Sequence, residues 1–191
     1  MRIVLLGAPG SGKGTQAAKM VESLGLPHIS TGVLLRAAVA ANSPLGQAAK
    51  AVMDRGELVS DDIMLGLIEE RLSQDDVGKG FILDGYPRNL VQARALDGLL
   101  ERMKQPVDTA LLIDVDEEEV IQRIAGRAAA EGRSDDTEEV VRNRMRVYSE
   151  QTAPVAGHYE QKGLLTRILG QGSIDDVFQR IMSVLHSSPE R

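Results

Sequence analysis

The sequence predicts an α/β fold with a parallel sheet, and two observations lead to this expectation. Short runs of apolar, often β-branched residues are typical of strands, and several are apolar on both faces, as buried parallel strands are. Longer amphipathic stretches separate these runs and are typical of helices that cover such a sheet. The expected strands span residues 2–6, 27–30, 80–84, 109–115 and 164–168, and the expected helices span 13–24, 31–54, 60–73, 89–104, 116–126, 135–157 and 173–186.

Taken in chain order, the elements are separated by recognisable breaks. The first strand ends in a glycine-rich turn that opens the first helix. The helical pattern over 31–54 is interrupted at Asn42-Ser43-Pro44 and ends at Arg55-Gly56. Acids at 117–119 favour a solvated first helical turn, because they complement the helix dipole. Farther on, Asp135 or Asp136 is a plausible N-cap for the helix that follows, and Ser173 is one for the last helix.

The composition indicates one domain of an ordinary globular protein. The chain has 191 residues, of which 42% are hydrophobic and 26% charged. Its 28 acidic residues outnumber the 22 basic ones, and the net charge of −6 argues against nucleic-acid binding. There is no cysteine, which excludes disulfides and cysteine-ligated zinc. No apolar stretch approaches the roughly 18 residues of a membrane helix. We therefore expect a cytoplasmic protein that binds neither membranes nor nucleic acids.

Polar, glycine-containing segments follow four of the expected strands. They span residues 7–15, 31–36, 84–92 and 170–175. Because ligands bind outside the carboxyl ends of the strands in open parallel sheets, we expect these segments to converge on one edge of the sheet. Residues 31–59 and 127–136 are interpreted as excursions from the core.

The strongest single motif is the stretch Gly7-Ala8-Pro9-Gly10-Ser11-Gly12-Lys13-Gly14-Thr15. Its glycines permit a tight wrap in which N–H groups point at phosphate, and Lys13 adds a cation for the β- and γ-phosphates. The pattern for nucleoside triphosphates is met through Lys13, although Gly14 stands where serine or threonine is expected. The alternatives are a glycine-rich turn without a ligand and a dinucleotide-binding fingerprint. The fingerprint fails because Thr15 replaces its third glycine and Thr31 replaces its acid.

A second motif, Phe81-Ile82-Leu83-Asp84-Gly85-Tyr86-Pro87-Arg88, places an acid at a strand end and an arginine after a turn. Asp84 is suited to hold the water of a nucleotide-bound Mg²⁺, and Arg88 is suited to grip a second phosphate. An Asp-Gly turn with a surface arginine is the alternative, and it is weaker beside a phosphate loop.

Several motifs in this order resemble the adenylate kinase family, and the resemblance covers essentially the whole chain. The segments that carry it are 7–16, 27–36, 56–61, 83–88 with Gln92, and 151–154. The resemblance implies a P-loop fold of three layers, α/β/α, around a five-stranded parallel sheet. It divides the chain into a core of 1–29, 60–125 and 137–191, a helical monophosphate-binding excursion of 30–59, and a short lid of 126–136 without the zinc-bearing insertion.

The resemblance also implies which residues form the site. AMP would be held by Thr31, Arg36, Glu57, Leu58, Val59, Gly85, Tyr86, Pro87, Arg88, Gln92, Arg133 and Arg144. ATP would be held by Gly10, Ser11, Gly12, Lys13, Gly14, Thr15, Arg123, Arg127 and Gly172. The catalytic set would be Lys13, Asp84, Arg88, Arg127, Arg133 and Arg144. Mg²⁺ would have no direct protein ligand, because phosphates and water coordinate it and Asp84 acts through that water.

The implied activity is reversible phosphoryl transfer from MgATP to AMP, which gives two ADP. The acceptor phosphate is already ionised near neutral pH, so direct in-line transfer needs no general base. Arginines suit such a site because their planar fork binds phosphate oxygens in pairs. Lids over the site would exclude water, the competing acceptor. We expect a monomer.

Three alternative functions remain open from the sequence. A UMP or CMP kinase is the nearest one, and Gln92 and Thr31 favour AMP over pyrimidine monophosphates. A GTPase-like switch would need an Asn-Lys-x-Asp motif, which the chain lacks. A catalytically silent nucleotide-binding module fits poorly with the retained Lys13 and Asp84.

The match to the family is imperfect at two positions. Val33 replaces an aspartate that is usual in this segment, which removes an acceptor near Mg²⁺, and Ser60 stands where proline is common. The histidines suggest no catalytic role: His28 is interpreted as a packed residue at a strand end, and His158 and His186 as surface or helix positions.

Overall fold

The computed structural model describes residues 1–131 and 137–187, with the side chains of Ala125 and of residues 127–131 left out. The described residues form a five-stranded sheet in which all neighbouring strands are parallel, in the order β2-β3-β1-β4-β5. The strands are β1 (Arg2–Leu6), β2 (His28–Ser30), β3 (Phe81–Asp84), β4 (Thr109–Asp114) and β5 (Leu165–Leu169). The predicted α/β class and parallel sheet are confirmed.

Helices connect successive strands and cover both faces of the sheet. They are α1 (Lys13–Leu24), α2 (Thr31–Ala40), α3 (Pro44–Asp54), α4 (Asp61–Leu72), α5 (Leu90–Arg102), α6 (Glu117–Glu131), α7 (Glu138–Val147), α8 (Ala153–Gln161) and α9 (Ile174–Ser187). A short 3₁₀ turn covers Asp75–Val77, and a π-helical turn, Tyr148–Thr152, joins α7 to α8. Among the described helices, none is both long and apolar enough to cross a membrane.

The break predicted near residue 43 is confirmed, because the Ser43 hydroxyl accepts a hydrogen bond from Gly46 N and α3 starts at Pro44. Two other helix boundaries were predicted wrongly. The helix expected to end at 126 continues to Glu131, so the predicted lid begins inside α6. The helix expected over 135–157 begins at Glu138 with Thr137 as N-cap, and it continues through the π turn to Gln161.

Alternating side chains of the strands divide the core between the two faces of the sheet. Ile3 and Leu5 of β1 pack with Met20 of α1 and Ile181 of α9. Val4 and Leu6 face the other way and belong to the larger cluster that includes residues of α4, α5 and α8. Each such side chain contributes roughly 1.5–3 kcal/mol when buried. Two buried layers of this kind fix the sheet, and the loops at its carboxyl edge are therefore held on a rigid base.

Candidate active site

A cleft of about 920 Å³ opens at the carboxyl ends of the strands. Its walls come from the loop after β1, the start of α2, the loop after β3 and the segment after β5. These are the four segments that the sequence predicted to converge, and that prediction is confirmed. The described lining includes all of Gly10, Ser11, Gly12, Lys13, Gly14, Thr15, Asp84, Arg123 and Gly172.

The loop after β1 forms one end of the cleft mainly with its backbone. Gly12 is the N-cap of α1 with φ of +95°, a left-handed conformation that favours glycine, and no side chain caps this helix end. The first N–H groups of a helix have no partner within it, so this end suits an anion. The Lys13 ammonium donates hydrogen bonds to the carbonyls of Gly7 and Ala8, at 2.9 Å each. The Lys13 ammonium is therefore held against the backbone of the loop after β1.

Asp84 ends β3 at the floor of the cleft and is 8% exposed. Its Oδ2 lies 3.4 Å from Nε2 of His28 in the adjacent strand β2. Burial alone would raise the pKa of Asp84, but His28, Lys13 and Arg88 together lower it by more, so the net pKa is below the ordinary value. Asp84 is therefore a carboxylate at neutral pH, surrounded by cationic or potentially cationic side chains.

Arg88 is fixed by hydrogen bonds from its side chain and from its backbone. Its Nε donates to the carbonyl of Gly85 at 2.7 Å, and its own carbonyl accepts from the Thr152 hydroxyl at 2.7 Å. Gly85 has φ of +81°, and a Cβ at this position would lie 2.6 Å from Oγ1 of Thr31. Only glycine therefore fits the turn that brings Arg88 into the cleft.

A second cavity adjoins the cleft and shares part of its wall. Gly32, Arg36, Arg88 and Arg144 line both spaces. Beyond the arginines, the second cavity is lined by Glu57, Leu58, Val59 and Gln92, together with apolar residues of α2, α3 and α4. The three arginines thus stand between two spaces, which is the arrangement needed to bring two anionic ligands together.

Gln92 closes the far side of this second cavity and is 1% exposed. Its Oε1 accepts from the backbone N–H of Arg88 at 2.7 Å. Its Nε2 donates to Oδ1 of Asp61, the first residue of α4, at 2.9 Å. The Gln92 amide is therefore held at both ends.

Comparison with known proteins assigns the family. The sequence model of the family described as "Adenylate kinase" matches residues 5–164. An adenylate kinase of Xanthomonas euvesicatoria pv. vesicatoria (strain 85-10) is 61% identical over 185 residues, which cover 97% of this chain and 99% of the relative. Those of Xanthomonas campestris pv. campestris (strain 8004) and Stenotrophomonas maltophilia (strain R551-3) are 60% and 57% identical over the same shares.

The chain belongs to the adenylate kinase family. The suspected resemblance, the enzyme class and the three-layer fold are thereby confirmed. The individual site residues stay predictions, although the structure shows where most of them lie. Arg133 lies outside the described residues, and so does the side chain of Arg127.

Some residues predicted to hold AMP in an adenylate kinase site are fully covered here. The Thr31 side chain is 0% exposed and its hydroxyl donates to the carbonyl of Gly85 at 2.9 Å. Tyr86 is also buried, and burial together with Asp61 raises the pKa of its phenol to about 12. Pro87 lines a smaller pocket with Gly85, Leu58 and Arg144. Thr31 and Tyr86 therefore lie behind the walls of the cleft and the second cavity, whereas Arg36 and Arg88 line both spaces.

The end of the cleft near α9 shows a further network. Arg123 donates to the carbonyls of Ser11 at 3.2 Å and Gly170 at 2.8 Å, and it pairs with Glu119. Arg123 therefore joins the phosphate loop to the segment that contains Gly172. Ser173 caps α9 as predicted, because its hydroxyl accepts from Asp176 N at 3.1 Å.

Three residues of the site were missed by sequence reasoning. His28 was expected to be a packed strand residue, but it is partly exposed and lines the cleft beside Asp84. Glu119 was expected to be solvated, but it also lines the cleft and pairs with Arg123. Asp61 lies in the segment 56–61 that carries the family resemblance, and its contact with Gln92 was not predicted. Neighbours across strands or between helices leave no signal in one sequence, which is why His28 and Asp61 were missed. Glu119 did leave a signal, because its i,i+4 spacing to Arg123 is typical of an ion pair on a helix.

The residues present fit a magnesium ion held mainly by nucleotide. Asp84 is ionised and faces the cleft, and a Cβ on Gly14 would lie 4.0 Å from its Oδ2. Within the part of the chain that the structure describes, no group of three or more histidines or acids is placed to form a metal cage. Mg²⁺ usually keeps several waters and takes phosphates as ligands, so a single carboxylate at the loop suits it.

Proposed function

We propose that this chain transfers the terminal phosphoryl group of MgATP to AMP, reversibly, to form two ADP. The observation that carries the proposal is the shared wall of Arg36, Arg88 and Arg144 between the phosphate-loop cleft and the second cavity. The cleft suits the triphosphate and the second cavity suits the monophosphate. Family membership supports the same assignment, because the relatives with about 60% identity are adenylate kinases.

The electrostatic requirement explains why arginines stand at this wall. Two polyanionic nucleotides repel each other, and the chain as a whole carries a net charge of −6. A local concentration of guanidinium groups offsets this repulsion, since each binds phosphate oxygens in pairs and stays protonated. One such arginine contributes about 10³–10⁵ in rate in phosphoryl-transfer enzymes. Arg127 and Arg133 belong to the same proposed set by resemblance alone.

The chemical step needs no general base. The second pKa of a phosphate is about 6, so the attacking oxygen of AMP is already ionised at neutral pH. Asp84 is the buried carboxylate of the cleft, and its lowered pKa makes it a poor proton acceptor. We therefore assign catalysis to positioning and charge stabilisation, with Lys13 on the donor phosphates and Arg88 between donor and acceptor.

Mg²⁺ would neutralise charge on the ATP phosphates when bound. Asp84 is the residue proposed to hold its water, and Lys13 and the loop backbone hold the phosphates beside it. No zinc is needed in this scheme. The acceptor, donor and products are AMP, ATP and ADP.

We also propose that residues 30–59 and 126–136 close over the nucleotides and exclude water. The end of the first segment contacts α7, the helix that follows the second segment in the chain: Asn143 Nδ2 donates to the carbonyl of Arg55 at 2.5 Å, and Gly56 lies against Val140. Hydrogen exchange in both segments should slow when a bisubstrate dinucleotide is added. Unchanged exchange would contradict closure.

The enzyme is proposed to act in the cytoplasm. It is also proposed to be a monomer, because one chain supplies both the cleft and the second cavity. Sedimentation at micromolar concentration tests the oligomeric state. A stable dimer would contradict it.

One coupled assay tests the proposed reaction against its alternatives. ATP consumption is measured with AMP, UMP, CMP, GMP or no added acceptor, and GTP hydrolysis is measured in a parallel reaction without acceptor. We expect AMP to be used far better than the other monophosphates and hydrolysis to be slow. Preference for UMP or CMP would identify a pyrimidine kinase, hydrolysis of GTP alone would indicate a switch, and no turnover would indicate a silent module.

A further inference from the structure

Asp61 lies outside the phosphate-binding parts of the site, yet it contacts the side chain that closes the second cavity. It is the first residue of α4 and is partly buried. Its Oδ1 accepts two hydrogen bonds, from Nε2 of Gln92 and from Nδ2 of Asn89, each at 2.9 Å. Asn89 in turn caps α5 by accepting from Gln92 N at 2.8 Å. The start of α4 and the start of α5 are thus joined around the Gln92 amide.

These contacts allow only one orientation of the Gln92 amide. A carboxylate can only accept, and a backbone N–H can only donate. Nε2 must therefore face Asp61, and Oε1 must face the N–H of Arg88, as the structure has them. A flipped amide would set two donors against each other at Arg88 and two acceptors against each other at Asp61. Because Gln92 is buried, water cannot readily compensate for either mismatch.

The amide then has one donor and one acceptor position left for a ligand, in a fixed arrangement. One hydrogen remains on Nε2 and one lone pair remains on Oε1. An adenine base offers the matching edge, with the acceptor N1 beside a donor amino group on C6. A 6-oxopurine offers the reverse edge, with a donor N1–H beside an acceptor oxygen on C6. The same base position therefore fits adenine in one amide orientation and a 6-oxopurine in the other.

We propose that Asp61 is a positioning residue that makes the acceptor site select 6-aminopurine over 6-oxopurine monophosphates. It does so by fixing the Gln92 amide in the orientation that reads adenine. This inference rests on the proposed function, in which AMP is the acceptor and Gln92 meets its base. Asp61 itself does not touch the substrate, and it acts through Gln92.

The test compares AMP with IMP, because the two differ only at position 6 of the purine. The quantity measured is the ratio of kcat/KM for AMP to kcat/KM for IMP. In Asp61→Ala this ratio should fall by about tenfold, the factor that corresponds to losing a hydrogen bond to a charged group. The fall should come partly from faster use of IMP, because the flipped amide becomes accessible. The KM for ATP should not change.

Asp62→Ala is the matched control. Asp62 is exposed and lies in the same first turn of α4, so its loss removes the same charge from the same helix end. For Asp62→Ala, the ratio of kcat/KM for AMP to kcat/KM for IMP should equal that of the unaltered enzyme. Damage to the fold would lower kcat/KM for both acceptors together and leave the ratio unchanged. Circular dichroism checks that Asp61→Ala is folded; if it is not, the isosteric Asp61→Asn takes its place, with an expected fall of about threefold.

The outcomes separate this inference from the function on which it rests. If the unaltered enzyme does not use AMP, the proposed function is wrong and the inference fails with it. If AMP is used and a folded variant at position 61 keeps the original ratio, the inference alone is overturned. An equal fall in Asp62→Ala would also overturn it, because charge at the helix end would then be the cause.

Discussion

The phosphate-loop cleft and the second cavity are built by different means. At the loop, backbone conformation forms the site: Gly12 has a left-handed φ, and the start of α1, which no side chain caps, faces the cleft. In the second cavity, side-chain contacts set the geometry: Asp61 accepts hydrogen bonds from the side-chain amides of both Gln92 and Asn89. The first kind of site is encoded in one short stretch of sequence. The second kind depends on residues that are far apart in the chain.

This difference predicts how each side should respond to substitution. A site built from the backbone should lose ligand binding when a glycine is replaced, even by alanine, which adds only a Cβ. Sites built from side chains should fail in proportion to the charge or hydrogen bond that is lost. Arg36, Arg88 and Arg144 line both the cleft and the second cavity, so replacing one of them should have the largest effect on activity.

Arg88→Ala should therefore lower kcat by about 10³-fold or more, the loss seen when a phosphate-binding arginine is removed. Arg88→Lys should recover little of it, because an ammonium cannot bind two oxygens in a planar fork. Steady-state kinetics with ATP and AMP measures both. Arg94→Ala is the control, since Arg94 is exposed on the following helix α5. A loss of less than tenfold for Arg88→Ala would remove Arg88 from the catalytic set.

Gly10→Ala should disrupt the loop after β1, the part of the site that is built from the backbone. Gly10 has φ of +81°, and a Cβ there would lie 2.6 Å from Cγ1 of Ile124. We expect the free energy of unfolding to fall by about 1–3 kcal/mol and ATP binding to weaken. Urea unfolding and calorimetry measure these quantities.

Gly66→Ala provides the matching control for this glycine. Gly66 lies inside α4, and nothing lies within 4 Å of the Cβ that alanine would add. Alanine here should raise the free energy of unfolding by about 0.5–1 kcal/mol. Equal effects at the two glycines would show that loop strain plays no part.

The same contrast explains what the sequence could predict. The sheet and the convergence of four loops at its edge follow from apolar runs and from the rule for parallel strands, so they were predictable. The loop from Gly7 to Thr15 was predictable because its function depends on glycine at fixed spacing. His28 was missed as a site residue because its neighbour Asp84 comes from another strand. Glu119 was missed although its i,i+4 spacing to Arg123 is visible in the sequence, because that spacing alone does not show that the pair lines the cleft. The extension of α6 to Glu131 was missed because residues 127–136 were interpreted as an excursion, although the alanines at 128–130 favour a helix.

Asp84→Asn should reveal the charged neighbourhood at the floor of the cleft through its pH dependence. The folded pKa of Asp84 is below its ordinary value of 3.8, so its charge stabilises the fold above that pH. This contribution is lost as the pH falls through the folded pKa. At pH 7 the variant should be less stable by about 1–2 kcal/mol, and the difference should narrow below pH 3.8. A difference that is constant between pH 7 and pH 3 would show that the charge does not matter.

Thr152→Val tests the support of Arg88 by the π turn. The Thr152 hydroxyl donates to the Arg88 carbonyl at 2.7 Å, and valine has the same shape without the donor. We expect about 1 kcal/mol less stability and a fall of about fivefold in kcat/KM. Thr166→Val in β5 is the control, because the described part of the chain holds no hydrogen bond to that hydroxyl. If the two variants behave alike, Arg88 does not depend on this contact.

Val33→Asp should have the smallest effect, and it tests whether the cleft lacks an acid that the family usually has. Val33 is 55% exposed and lines the cleft on α2, on the same wall as Arg36. A carboxylate here adds a screened, exposed charge near the proposed site of Mg²⁺ and the ATP phosphates, worth well under 1 kcal/mol. The Mg²⁺ concentration for half-maximal activity should fall by about two- to threefold, without a change in acceptor preference. Ala37→Asp adds the same charge to an exposed position on α2 and should leave the Mg²⁺ dependence unaltered. If both variants titrate with Mg²⁺ like the unaltered enzyme, an acid at position 33 plays no part in the proposed Mg²⁺ site.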